Sequence, residues 1–176
     1  MEAVTEVSRS GGEGETDASI FVDKPRSHGQ FPEARRIGAI NTIINDGRRL
    51  TGLNTDYSAV RQELSARKVP SSSQVLLLGS GGMARAIAHA LFRLHIRNVL
   101  VLARNRSRGA RLAKHYQFRW ANTVERERTF DVLINATPLG SPAMSKLPFT
   151  PKLIRQSRCV MDVVVAPRPT FLVRLA

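Results

Sequence analysis

The chain has 176 residues, 42% apolar and 23% charged, which is the balance of a soluble globular protein, and no apolar run approaches the roughly 20 residues that span a bilayer. Twenty-seven basic residues against 14 acidic ones give a formal charge of +13, which suits acidic partners such as nucleic acid, membrane surfaces or phosphorylated small molecules. The arginines are scattered over several helical segments, however, and aromatics make up only 6%, so a solvated basic surface is expected and nucleic acid is a distant alternative.

Residues 1–17 hold five acidic side chains and one arginine with no apolar core, which reads as a disordered polar leader rather than a signal or transit peptide. A single cysteine, Cys159, excludes an internal disulfide and a multi-cysteine metal site, so a reducing cytoplasm is the expected compartment. At the head of an apolar run, Cys159 reads as a small buried hydrophobe.

From Phe31 onward the pattern becomes ordered. Pro32 to Ile37 is expected as a short helix and Ala39 to Ile44 as a β run. Asn45-Asp46-Gly47 is a tight turn of the hairpin kind, and Arg48 to Gly52 is the return strand. A helix then begins at Asn54-Thr55-Asp56, with Thr55 or Asp56 as its cap, and runs through Val60 and Leu64 to about Arg67. Val69-Pro70-Ser71-Ser72-Ser73 is a polar connector and the natural domain boundary, dividing a unit over 18–68 from one over 69–176.

The stretch Gln74 to Leu94 changes hydrophobic period at a glycine cluster. Val75 to Leu78 is a continuous apolar run, as a strand buried on both faces requires. Gly79, Gly81 and Ala84 fall on G-x-G-x-x-A, the spacing of a dinucleotide-binding turn. Met83, Ile87, Ala88, Leu91 and Leu94 then recur at helical spacing, so a helix N-terminus faces any bound pyrophosphate. The alternation continues with strands at Asn98–Ala103, Thr129–Asn135 and Arg158–Val165, a helix at Ser107–Tyr116, and a short strand or loop at Arg119–Ala121. Strands alternating with helices predict a parallel, doubly wound sheet with ligands at the carboxyl ends of its strands.

Three polar clusters lie at those ends: Arg104-Asn105-Arg106, Asn135-Ala136-Thr137-Pro138 and Ala166-Pro167. An NAD site places a carboxylate after the second strand, whereas a 2′-phosphate calls for arginine. Here the chain reads Ala103-Arg104-Asn105-Arg106-Ser107-Arg108, with no carboxylate before Glu125. Guanidinium groups suit phosphate through forked, charge-assisted bonds, so NADP is the expected cofactor.

Six segments in order, GAINT (38–42), LNTD (53–56), GSGGMA (79–84), ARNRSR (103–108), INATPLG (134–140) and DVVVAPRPT (162–170), resemble the shikimate dehydrogenase family, and the wording of GSGGMA and DVVVAP is similar to its shikimate dehydrogenase-like branch. The resemblance implies an α/β protein in which a Rossmann-type doubly wound parallel sheet is preceded by a partial α/β substrate lobe. It implies NADP-dependent interconversion of 3-dehydroshikimate and shikimate, a step of aromatic amino-acid biosynthesis, in the cleft between the lobes. By the same resemblance Asn41 and Asp56 bind substrate, and Asp56 works with a lysine in a proton-transfer dyad. The plainer alternative reads Asn41 as a hairpin residue and Asp56 as an N-cap, and the neighbouring matches favour the site reading over it. Cofactor contacts are implied at Gly79, Ser80, Gly81, Gly82, Met83 and Ala84, at Arg104, Asn105 and Arg108, at Asn135, Ala136 and Thr137, and at Val164.

The first 31 residues do not reproduce the family's serine pair or its lysine motif, and Lys24, in the corresponding region, reads as a solvated lysine. The chain stops at Ala176, ahead of the family's glycine-rich segment and substrate-touching glutamine. Two functions therefore stand side by side: a dehydrogenase of shikimate, quinate or a similar polyhydroxy acid, or an NADP-binding protein with little turnover. No oligomeric state follows from the sequence.

Overall fold

The computed structural model describes residues 29–30, 32–45, 50–125 and 127–176. The expected leader over 1–17, Lys24 and the Asp46-Gly47 part of the hairpin turn lie outside the described residues.

The first part of the chain builds a small three-stranded sheet. Strands β1 (Gly29–Gln30), β2 (Thr42–Asn45) and β3 (Leu50–Leu53) lie in the order β1-β3-β2, with β1 parallel and β2 antiparallel to β3. Helix α1 (Pro32–Ile37) opens on a proline, whose missing N–H is no loss at a helix start. The β run expected from Ala39 begins only at Thr42, because Asn41 sits in a bend and bonds across to the next helix. That helix, α2 (Thr55–Ala66), is capped by Asn54 and not by Thr55 or Asp56. A cap needs an extended backbone and an acceptor within reach of the third helical N–H. Asn54 has φ −123° and ψ 100°, and its Oδ1 accepts from the Tyr57 N–H at 3.0 Å, while Thr55 and Asp56 are already helical. The same side chain donates from Nδ2 to the Ala39 carbonyl at 3.1 Å, tying α2 to the segment before β2.

The second part alternates strand and helix: β4 (Val75–Leu78), α3 (Gly82–Arg93), β5 (Val99–Leu102), α4 (Arg106–Tyr116), β6 (Arg119–Ala121), β7 (Val132–Asn135), α5 (Pro151–Gln156), β8 (Cys159–Asp162) and α6 (Phe171–Leu175). The five strands form one sheet in the order β6-β5-β4-β7-β8, every pair parallel, which is the doubly wound arrangement expected. Chain direction across the sheet reverses between β4 and β7, the place where such sheets open a ligand crevice. Two details differ from expectation. The strand expected to reach Val165 ends at Asp162, and Val165 is 97% exposed. Helix α5, six residues long, was too short to announce itself by period, although Thr150 caps it from Oγ1 to the Leu153 N–H and Pro151 opens it.

Because successive side chains on a strand point to opposite faces, the apolar runs sort themselves into two layers. Val75, Leu77, Val99, Val101, Val132 and Ile134 face one core with α3 and α4. Leu76, Leu100 and Leu133 face a second core with Phe130, Phe149, Ile154 and Leu172, the last two from α5 and α6. On α3 the fully buried Ala84, Ala86, Ala88 and Ala90 let neighbouring elements approach closely. Into that space pack Ile37 of α1 and Tyr57, Val60 and Leu64 of α2, so a single core runs from the first part of the chain into the second. Each fully buried Leu or Ile in these layers is worth about 1.5–3 kcal/mol of transfer free energy. Among the described residues no helix is long and apolar enough to cross a membrane.

Candidate functional site: a nucleotide crevice at the carboxyl edge of the sheet

The glycine turn leaves the end of β4 at the centre of the sheet. Gly79 has φ +122°, which L side chains rarely adopt, and a Cβ there would lie 2.8 Å from the Ala136 carbonyl oxygen. Its N–H donates to the Leu102 carbonyl of β5 at 2.9 Å. Gly79 thus brings the turn against the ends of both neighbouring strands, so closely that no side chain fits between it and Ala136. Ser80, Gly81, Gly82 and Met83 follow at intermediate exposure, with Ala84 buried beneath them. No side chain caps α3, and its first turn carries no acid. The N–H groups and positive dipole end of a twelve-residue helix therefore remain directed at the crevice, the arrangement that receives a phosphate or pyrophosphate.

On the β5 side stands the arginine loop. Asn105 caps α4, its Oδ1 accepting from the Arg108 N–H at 2.9 Å. Arg104, Arg106 and Arg108 are all exposed around that helix N-terminus. Three cations at the positive end of a helix disfavour the helix, each by roughly 0.3–1 kcal/mol. A bound anion at that end would reverse the sign.

On the β7 side, Asn135 is fully buried and its amide is entirely engaged. Nδ2 donates to the Leu139 carbonyl at 2.8 Å and to Asp162 Oδ1 at 2.9 Å, and Oδ1 accepts from the Thr137 N–H at 3.1 Å and hydroxyl at 2.7 Å. Asn135 therefore shapes the Ala136-Thr137 loop against Gly79. Asp162, which sequence reasoning did not single out as a site residue, is the partner hub. Its Oδ1 also accepts from the Val164 N–H at 3.2 Å, and its Oδ2 from the Thr170 hydroxyl at 2.6 Å, while Thr170 in turn caps α6. A carboxylate closing an apolar strand was the available signal.

Asn41 is tied to the start of α2 at Thr55, the residue before Asp56. Asn41 Oδ1 accepts from the Thr55 N–H at 3.0 Å, the Thr55 hydroxyl at 3.2 Å and the Thr42 hydroxyl at 3.0 Å. Asn41 is exposed and Asp56 half-buried. The segment before Asn41 is tied to α3 through Arg85, whose Nη1 donates to the Gly38 carbonyl at 3.1 Å from the first turns of that helix. The glycine turn and the Asn135 loop thus meet before α3, to which Arg85 ties the segment ahead of Asn41, while Arg104–Arg108 lies on the other side of β4.

Two other features escaped sequence reasoning. Trp120 of β6 donates from Nε1 to the Ala103 carbonyl at 3.3 Å. His89, in the middle of α3, is 2% exposed between Tyr57 and Tyr116, with ring centroids 4.9 and 5.9 Å away, and neither ring nitrogen has a hydrogen-bond partner among the described residues. Burial, with the Arg93 and Arg36 charges, holds its pKa below the usual histidine value. Burial likewise raises the thiol pKa of Cys159, which packs half-buried against the core as a structural side chain.

A profile of the family described as shikimate / quinate 5-dehydrogenase matches residues 63–170. An NADP(+) shikimate dehydrogenase of Thermus thermophilus is 37% identical over 145 residues, covering 82% of this chain and 54% of that protein. Among solved structures, a shikimate 5-dehydrogenase-like protein superposes with a TM-score of 0.77 at 30% identity, covering 84% of this chain and 55% of its own. A shikimate 5-dehydrogenase from Thermus thermophilus, solved with NADP(H) and shikimate, gives 0.71 at 34% identity, with 84% and 56% covered. The chain spans about half the length of the curated relatives it matches. With the matched residues running from α2 through every strand of the five-stranded sheet to the cap of α6, the chain belongs to the shikimate / quinate 5-dehydrogenase family.

Proposed function

We propose that this chain is the nucleotide-binding portion of an NADP-dependent oxidoreductase that interconverts 3-dehydroshikimate and shikimate, with residues 69–176 as the dinucleotide domain and 18–68 as a partial substrate lobe. The observation that carries the reading is the tight Gly79 turn leading into the N-terminus of α3, which no side chain caps among the described residues, flanked by an arginine-rich helix start. The residues fit the cofactor in shape and charge. Gly79 through Ala84 and the N–H groups of α3 hold the pyrophosphate, Arg104 and Arg108 the 2′-phosphate, and Ala136, Thr137 and Val164 line the far side. When bound, the nicotinamide supplies or accepts the hydride. The protein's own share is to hold the polyhydroxy acid with Asn41 and to take up or return the hydroxyl proton at the Asp56 carboxylate. The lone thiol, Cys159, suits a reducing cytoplasm.

A second reading, NADP binding without turnover, is favoured by one fact. Among the described residues no lysine lies on α1, β2, β3 or α2, where a proton-transfer partner for Asp56 is needed. One experiment separates the two: NADPH is titrated calorimetrically, then 3-dehydroshikimate is added while the absorbance of the reduced nicotinamide is followed. Binding with turnover abolished by Asp56→Asn supports the dehydrogenase. Binding without turnover supports the second reading, and no binding refutes both.

A further inference from the structure

Trp120 is the one tryptophan of the chain, and it lies in the edge strand β6, opposite Val101 of β5 in the parallel register. Its indole N–H donates to the Ala103 carbonyl at 3.3 Å, while the Ala103 N–H donates to the Ala121 carbonyl at 3.1 Å. Ala103, the residue before Arg104, is thus held by β6 at both its N–H and its carbonyl. Since a peptide unit is planar and stiff, fixing its oxygen fixes the direction in which Arg104 leaves.

The other wall of the indole site is Gly109, in the second turn of α4. A Cβ at Gly109 would lie 2.3 Å from Trp120 Nε1, 2.5 Å from Cδ1 and 2.9 Å from the Ala103 Cβ, so no side chain fits there while the ring is in place. Glycine inside a helix is disfavoured against alanine. Here it permits the indole to pack flush between α4 and the end of β5. The first turn of α4, which carries Arg106 and Arg108 and is capped by Asn105, is thereby seated against the same ring that sets Arg104.

We propose that Trp120, seated on Gly109, is the positioning residue for the arginine loop, and that it sets the preference of this crevice for nucleotides bearing a 2′-phosphate. The inference rests on the dinucleotide reading above and adds to it a determinant that touches no ligand. It acts by pre-organisation: a backbone already fixed where the arginines leave it has less left to order when the phosphate arrives.

The test uses adenosine 2′,5′-bisphosphate and adenosine 5′-monophosphate as probes on the full chain, with calorimetry for every variant and Trp120 emission for the parent. In the parent, the bisphosphate is expected to bind more tightly than the monophosphate and to change the emission, and the monophosphate to leave it unchanged. Trp120→Phe keeps the ring but removes the N–H, and is expected to weaken the bisphosphate about fivefold, the loss of one ordinary hydrogen bond, with the monophosphate altered less than about twofold. Gly109→Ala, which displaces the ring, is expected to weaken the bisphosphate more strongly in the same selective way. Should Gly109→Ala fail to fold, Trp120→Phe decides alone. Equal weakening of both probes marks a merely structural tryptophan and overturns the proposal, as does an unchanged ratio. Either result leaves the dinucleotide reading standing if the parent still prefers the bisphosphate. A parent that binds neither probe overturns both.

Discussion

His89 provides a prediction that runs against the usual effect of core mutation. Its ring is 2% exposed, and both nitrogens lack partners among the described residues. A buried polar atom without a hydrogen bond costs about 1–3 kcal/mol. Replacement by leucine, of similar volume, removes two such atoms and forfeits the tilted contacts with Tyr57 and Tyr116 at 4.9 and 5.9 Å, each worth about 0.5–1.5 kcal/mol. The balance favours His89→Leu by about 2 kcal/mol, which for a chain of this size raises Tm by roughly 4–8 °C. A pH dependence accompanies it. The native pKa of His89 is lowered first by burial, then by Arg93 and Arg36, against a smaller opposing pull from Glu33. Above the unfolded value of 6.5 the ring is neutral in both states and contributes no slope. Below it the unfolded chain takes up a proton that the native state refuses, so the parent loses stability as pH falls from 6.5 towards the native value. The variant lacks that loss. Urea unfolding of parent and variant at intervals from about pH 7.5 to about pH 5 reads both effects, the gap widening as pH falls. A variant less stable than the parent near neutrality, or a gap that does not change with pH, refutes the reasoning.

Three further substitutions probe the frame of the site. Gly79→Ala forces a Cβ to within 2.8 Å of the Ala136 oxygen at φ +122°; nucleotide affinity, read by calorimetry, is expected to fall more than about tenfold, with about 1–3 kcal/mol of stability lost to backbone strain. Asn54→Ala removes both the cap on Tyr57 and the bond to the Ala39 carbonyl, and is expected to cost about 1–2 kcal/mol in urea unfolding. Asp162→Asn keeps the shape of the hub but turns one acceptor into a donor among the three donors from Asn135, Val164 and Thr170. Unfolding is expected to show a loss of about 1–2 kcal/mol, because the amide can turn its NH2 to the Thr170 hydroxyl but bonds to a carboxylate give way to weaker neutral ones.

What the sequence disclosed and what it hid divide along a physical line. Features that a few adjacent residues determine were legible. Four-residue apolar runs between polar turns declared strands buried on both faces, and Gly79, Gly81 and Ala84 declared a turn that only small residues can make. Boundaries were less so. Asn54, Thr55 and Asp56 are three capping residues in a row, and only the burial of Tyr57, Val60 and Leu64 against α3 fixes the helical phase that makes Asn54 the cap. Helices α2, α3 and α4 are followed by Lys68, His95 and Gln117 in the left-handed region, so the glycine that usually marks a helix end is missing there.

The features that shape the site from behind are all long-range. Gly109 in a helix reads locally as a weak flaw, and Trp120, eleven residues on, as one aromatic in a short edge strand. Only the parallel register of β5 with β6, which sets Val101 opposite Trp120, puts the indole under Ala103 and gives the glycine its reason. Asn135 and Asp162 are likewise 27 residues apart and meet because β7 and β8 pair at that register. The sheet order explains why these supports fall on two flanks. With β4 central, the loop after β5 stands on one side of the glycine turn and the loops after β7 and β8 on the other. The arginine loop and the Asn135–Asp162 network therefore rest on separate supports, and a substitution under one flank is expected to leave the other flank intact.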